Sequence, residues 1–423
     1  VNIYPEAQLL SLVGDCTPHG THVAAIACAA DGERSGVAPG AQLVSIKIAD
    51  IRLNAMERGT SLARGFMAAV RMGCHVVNLS FGEPSQVPNV GRIVRMAEEL
   101  AWQHNIVLVG SVGNSGPALT TVNAPGGISS CMIGVAAYVS PEMMKAIHSL
   151  DSNTDELDTL SGSTYTWSSV GPAQDGHIGV SVCAPGGAIT SVSNWTLQKS
   201  MIMVGTSMSS PQVCGCVALL LSACKAEGVP VSPARIKRAL ENTAQELPTL
   251  TSVQQGNGMV QVAKAFDHLV ATKDFSSEDI HFQVSFEGRP APSRGIYLRQ
   301  PQESTRRLTF TINVKPIFRN NDQLDESAQS ERINFEMKFA VTSTAPTWLF
   351  TPDHFMLMNN GRNFRVAVDG TSLSPGLHTA KVVAYDADHR ERGAIFSLPV
   401  TIVKPLPEER QIDLPQLSVS TDF

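Results

Sequence analysis

The sequence predicts an α/β domain, with a parallel sheet covered by helices on both faces, followed by an antiparallel β-sandwich domain. Two patterns carry that reading. Through about the first 270 residues, short continuous apolar runs alternate with longer amphipathic ones, as right-handed strand–helix–strand crossovers require. After Asp274 the apolar residues recur every second position between turn residues, as in a sandwich of short strands. The composition suits both: 43% apolar and 17% charged residues supply a sizeable core and exclude a disordered chain. The 423 residues divide into 1–272, 273–404 and a segment 405–423 that reads as a tail or the start of a further unit.

In the first domain, Leu43–Ile48 reads as a strand, Thr60–Met72 as a helix and His75–Ser80 as the next strand. Pro88–His104 carries Ile93, Val94, Met96, Ala97 and Leu100 at helical spacing, and leads into the apolar strand Ile106–Val109. Further strands are expected at Cys131–Tyr138 and Val180–Ala184. Helices are expected at Ser207–Cys224, Ser232–Thr243 (Pro233 suits its first turn) and Met259–Leu269. In the second domain, Arg307–Val314, Ile333–Val341, Phe364–Val368, His378–Tyr385 and Ala394–Ile402 alternate, and the acidic stretch Asn320–Arg332 reads as a loop.

A formal charge of -6 argues against nucleic acid as a partner, because such binding neutralises phosphates. No run of about 18 apolar residues occurs, so no membrane partner is expected. The chain starts at Val1 without a signal-peptide pattern, which predicts an internal stretch of a longer protein. The 8 cysteines lack zinc-ligand spacing and sit mostly in apolar surroundings. They read as buried thiols in a reducing, intracellular setting. No metal or other cofactor is expected.

Three patches carry chemistry: His19-Gly20-Thr21-His22, Gly113-Asn114-Ser115-Gly116-Pro117 and Gly205-Thr206-Ser207-Met208-Ser209-Ser210-Pro211. A serine hydroxyl needs a base to take its proton, and His19 can be that base. Ser207 opens an apolar helix, where backbone amides face outward. Asn114 follows a buried strand and can donate to a developing oxyanion, a contribution of about 100- to 1000-fold in turnover. Taken singly, each patch also fits a blander reading: a packed histidine, a turn or a helix cap. Together and in this order they resemble the motifs of the subtilisin-like serine peptidases. The resemblance spans roughly residues 14–270 and implies that His19 is the general base, Asn114 the oxyanion donor, Ser207 the nucleophile and His22 a structural histidine. Gly36–Gly40 and Gly256–Val260 match further landmarks.

The run Asn78-Leu79-Ser80-Phe81-Gly82-Glu83 resembles the family's substrate-binding edge, so Ser80, Phe81, Gly82 and Glu83 are expected to bind substrate. Arg52–Glu57 is similar to the opposite edge of the cleft. The resemblance is narrowest to an exo-acting, cytosolic branch in which glutamates matching Glu57 and Glu83 hold the substrate's free amino terminus. It implies release of tripeptides from oligopeptides with a free N-terminus, in a large homo-oligomer within the cytoplasm. Carboxylates there would also penalise an internal segment, which would bury them unpaired. The family's aspartate has no match: Asp15 precedes His19 too closely and in the wrong context. The aspartate is expected outside this chain, leaving the chain alone weaker by about 10,000-fold. An endo-acting peptidase and a non-catalytic assembly fragment are the alternatives.

Overall fold

The computed structural model describes residues 2–12, 14, 17–30, 32–50, 56–57, 59–85, 87–148, 161–286, 293–318 and 326–406. Two small antiparallel hairpins come first: β1 (Asn2–Tyr4) with β2 (Leu9–Ser11), and β3 (Ala49–Asp50) with β4 (Met56–Glu57). The central sheet follows, from β5 (Val76–Leu79), β6 (Val107–Ser111), β7 (Met132–Val139), β8 (Ser163–Thr164) and β9 (Val182–Pro185). Strands β5, β6, β7 and β9 run parallel, and β8 pairs antiparallel with the end of β7. The hairpin β10 (Gly187–Ser191) and β11 (Ser200–Val204) leads directly into Gly205, Thr206 and Ser207.

The helices of this domain are α1 (His19–Cys28), α2 (Gly59–Arg71), α3 (Arg92–Trp102), α4 (Pro141–His148), α5 (Thr206–Glu227), α6 (Pro233–Thr243), the single turn α7 (Ser252–Gln255) and α8 (Val262–Ala271). Strand β6 shows why the sheet sequences are continuously apolar. Val107 and Val109 join Val213, Val217 and Leu220 of α5 in one cluster, while Leu108 joins Leu62 and Phe66 of α2 and Leu100 of α3 in another. Alternate side chains therefore face opposite helical layers, and both must be apolar. By length and composition α5 could cross a membrane. In this fold its apolar residues line the core against the sheet. Helix α6 begins where its cap predicts, with Ser232 Oγ accepting from the Arg235 N–H at 3.3 Å and Pro233 next.

The second domain is a sandwich of two sheets, following the short helical segment at Ser276–Asp279. Its strands are β12 (His281–Phe286), β13 (Ile296–Leu298), β14 (Arg307–Ile317), β15 (Glu336–Ser343), β16 (Leu349–Phe350), β17 (His354–Met358), β18 (Arg362–Asp369), β19 (Gly376–Asp386) and β20 (Ala394–Lys404). One sheet has the order β12-β14-β18-β16 and the other β13-β20-β19-β15-β17. Ile312 and Val314, Phe339 and Val341, and Leu398 and Val400 meet between the sheets, as the period of two requires. One pairing departs from the antiparallel expectation: β13 runs parallel to β20. All three of its residues are buried, so it reads as an apolar run rather than an alternating strand.

Two other expectations change. No strand forms at Leu43–Ile48 among the described residues. Ile48 and Ile46 instead pack on α2, where a Cβ on Gly65 would lie 3.2 Å and 3.4 Å from their Cγ2 atoms. The stretch expected to be a loop at 320–332 ends in a helix, Glu326–Ile333. Its charged residues favour a helix even without an apolar face.

The domains meet through buried polar groups. Arg392, 1% exposed, pairs with Asp386 Oδ2 at 2.5 Å and, through Nε, with Glu278 Oε1 at 2.8 Å. Arg238 of α6 pairs with the other oxygen of Glu278. Arg294 of the sandwich donates to Asp175 Oδ2 at 2.5 Å and to Ile128 O at 2.7 Å in the first domain. Such guanidinium clamps satisfy charges that burial would otherwise leave uncompensated.

Candidate active site

Three helix and strand ends converge at the start of α5. Ser207 is the second residue of that helix, so its backbone N–H belongs to the first turn, where no intrahelical acceptor exists. Asn114 lies just beyond β6, exposed at the surface. Its Oδ1 accepts two bonds from Thr206, from the backbone N–H at 3.0 Å and from Oγ1 at 2.8 Å. Both are donors, so the carboxamide orientation is fixed and Nδ2 faces the other way. A Cβ placed on Gly205 would lie 3.6 Å from Asn114 Nδ2 and 3.6 Å from Ser207 N. Two N–H donors thus flank one small space beside the serine, the arrangement that stabilises an oxyanion.

The end of β5 borders the same space. Ser80 Oγ donates to Ser207 O at 2.9 Å, and Ser207 Oγ donates back to Ser80 O at 3.4 Å. Phe81 is half-buried against the α2–α3 cluster. Glu83 forms an antiparallel bridge with Ala124: its N–H reaches Ala124 O at 2.9 Å and its carbonyl accepts from Ala124 N at 2.8 Å. Backbone groups alternate in direction along an extended segment, so those of Gly82 face away from Ala124. Gly82 must be glycine, because a Cβ would meet Ala124 O at 2.8 Å. The result is an open backbone edge at Ser80–Gly82 that an extended peptide can join as a strand, with the exposed Glu83 directly beyond it.

His19 opens α1, which packs on α5. Burial, and then the neighbouring His22, hold its imidazole below the usual 6.5. It is therefore neutral at pH 7, the state of a base ready to accept a proton. His22 is fully buried, and its Nε2–H donates to Met201 O of β11 at 3.0 Å, so it ties α1 to the hairpin that leads into Ser207. Among the described residues no hydrogen bond joins His19 to Ser207, whose hydroxyl rests on Ser80 O. No described carboxylate contributes to the His19 shift, and Asp15 lies outside the described residues.

Asn114, Ser207, Ser80 and Gly82 are thus brought together, with Glu83 next in line. The backbone of Glu57 lies on β4, paired with Ala49. Its side chain, like residues 51–55, lies outside the described residues. Thr206, which orients Asn114, was not singled out by the sequence reading, nor were Asn78 and Ser210. The signal available for Thr206 and Ser210 was the run of hydroxyl residues around Ser207 in Gly205–Pro211.

A family model for subtilases matches residues 1–259. The chain belongs to the subtilase family. A second model, for the first Ig-like domain of tripeptidyl-peptidase II, matches residues 280–403. The subtilase is 46% identical over 410 residues to tripeptidyl-peptidase 2 of Arabidopsis thaliana, covering 96% of this chain and 29% of that protein. It is 43% identical over 411 residues to tripeptidyl-peptidase 2 of Oryza sativa subsp. japonica, covering 96% of this chain and 30% of that one. The crystal structure of a tripeptidyl peptidase 2 superposes with a TM-score of 0.80 at 36% identity, over 96% of this chain and 31% of the other. The subtilase therefore spans about three-tenths of the length of these relatives.

Proposed function

We propose that the intact protein is a serine exopeptidase that releases tripeptides from the free N-terminus of oligopeptides. Ser207 attacks the scissile carbonyl, His19 takes the hydroxyl proton and later delivers it to the leaving amine, and Asn114 Nδ2 with the Ser207 N–H stabilises the oxyanion. The observation that carries this reading is the pair of donors flanking Ser207, fixed by the two bonds from Thr206 to Asn114. Before attack, Ser207 Oγ must leave Ser80 O and turn to His19.

The exo mode rests on Glu83. It stands where the open edge of Ser80–Gly82 ends against the Ala124 bridge, in reach of the end of a peptide added to that edge. With Glu57 it would pair with the terminal ammonium and set the cut three residues in. A continuing chain would instead desolvate carboxylates without a partner. The names of the relatives that match nearly the whole chain, tripeptidyl-peptidase 2, support this mode. We place the activity in the cytoplasm, within a large homo-oligomer. The seven described cysteines, all unpaired thiols, suit a reducing compartment.

The test uses the full-length protein and one oligopeptide with a free or acetylated N-terminus. Acetylation is expected to abolish cleavage. Glu83→Gln is expected to lower kcat/KM on the free peptide about tenfold, or about 1.4 kcal/mol. Equal cleavage of both peptides would establish the endo-acting reading, and failure to cleave either would favour a non-catalytic module.

A further inference from the structure

We infer that the carboxamide of Asn78 is a positioning group for the nucleophile, an inference that rests on the serine-peptidase reading of Ser207. Asn78 sits on β5, ahead of the substrate edge, and uses both ends of its amide. Ser210 Oγ donates to its Oδ1 at 2.6 Å, and its Nδ2 donates to Ser80 Oγ at 3.0 Å. Ser80 Oγ in turn donates to Ser207 O at 2.9 Å. The chain of donors therefore has one direction: Ser210 to Asn78, Asn78 to Ser80, Ser80 to the Ser207 carbonyl. It starts and ends in the first turns of α5 and passes through β5.

The carboxamide serves both steps at this size without needing a proton from solvent. Its carbonyl end must accept, since the Ser210 hydroxyl donates to it, and its NH2 end can only donate. Ser80 Oγ, already an acceptor from Asn78, is left with its proton for Ser207 O. The loop clamps the backbone on both sides of the Ser207 Cα: the carbonyl of Ser207 through Ser80, and the next turn of the helix through Ser210, which is fully buried. The direction of the Ser207 Cα–Cβ bond and the placement of the Ser207 N–H in the oxyanion site follow from that clamp. Linked bonds of this kind strengthen one another, and a displacement of about 1 Å at a reacting group costs on the order of 100-fold in rate. Asn78 makes no substrate contact in this scheme, so its removal acts on turnover and not on binding.

The experiment compares full-length wild type, Asn78→Ala and Asn78→Asp, with active sites titrated by a fluorophosphonate that reacts at Ser207. At a pH where it is ionised, aspartate keeps the size and the acceptor for Ser210 but cannot donate to Ser80, so Ser80 Oγ turns its proton to the carboxylate and releases Ser207 O. Both variants are expected to lose about 10- to 100-fold in kcat per titrated site, with KM within about twofold and labelling slowed in parallel. Wild-type kcat per site in both variants, or a loss confined to KM, would overturn the inference. Should Asn78→Ala fail to fold, Asn78→Asp with Ser80→Ala decides. The double variant is expected to lose no more than Asn78→Asp alone, and additive losses would contradict a single relay. The two readings fail separately: a wild type that neither takes the label nor cleaves peptide removes the proposed function itself. A labelled, active wild type with equally labelled variants removes only the role of Asn78.

Discussion

In the proposed mechanism the imidazole of His19 must be unprotonated to take the Ser207 proton, and its surroundings favour that state. Burial and the adjacent His22 both disfavour its charged form and hold its pKa below 6.5. Protonation removes the base, so the residual kcat/KM of the 423-residue chain by itself should fall on the acid side, with the ascending limb centred below pH 6.5, and an aspartate supplied by the intact protein should move that limb upward. A limb centred at 7 or above for the chain by itself, measured on a free-amine peptide, would contradict this. At this scale the sequence marked the candidate reactive groups more plainly than their supports. His19, Asn114 and Ser207 stand in short motifs whose residue types name their chemistry. Thr206 and Asn78 act through the direction of their hydrogen bonds, and only coordinates reveal which end of an amide faces which hydroxyl.

Among the elements, α5 does the most to assemble the site, since it carries Ser207 at its first turn and buries its apolar residues against the sheet. Apolar continuity made β6, β7 and α5 legible in the sequence. The run Leu43–Ile48 is also rich in apolar residues but packs on α2 without joining a ladder. The helix at Glu326–Ile333 was missed because it lacks the apolar face that periodicity detects. The elements at the domain joint depend on Glu278, which lies between Arg238 and Arg392. Burial alone would push this carboxyl up, but the two guanidinium groups hold it below its usual range. Glu278→Ala leaves Arg238 buried without its carboxylate and Arg392 with Asp386 alone, and should cost about 3–5 kcal/mol, read from denaturant unfolding of the full-length protein. A loss under about 1 kcal/mol would show that the cluster is not the joint.

At the scale of the whole molecule, a subtilase domain is fastened to a sandwich of two sheets through Arg294, Arg392 and Lys381, whose Nζ donates to Asn257 Oδ1 at 2.8 Å. Lys381 thereby ties β19 to the turn after α7, on the peptidase side. The change from continuous runs to a period of two announced this two-part build, whereas the residues that fasten it are isolated charges with no pattern to mark them. The proposed function requires that the enzyme measure from the amino terminus. The most direct measurement is mass spectrometry of the first product released by the full-length protein from a free-amine decapeptide and from the same peptide lengthened by one residue at its N-terminus. A tripeptide is expected from each, so that the scissile bond moves by one position in the longer peptide. A cut that stays at the same bond in both peptides would show that the site reads side chains and does not measure from the terminus.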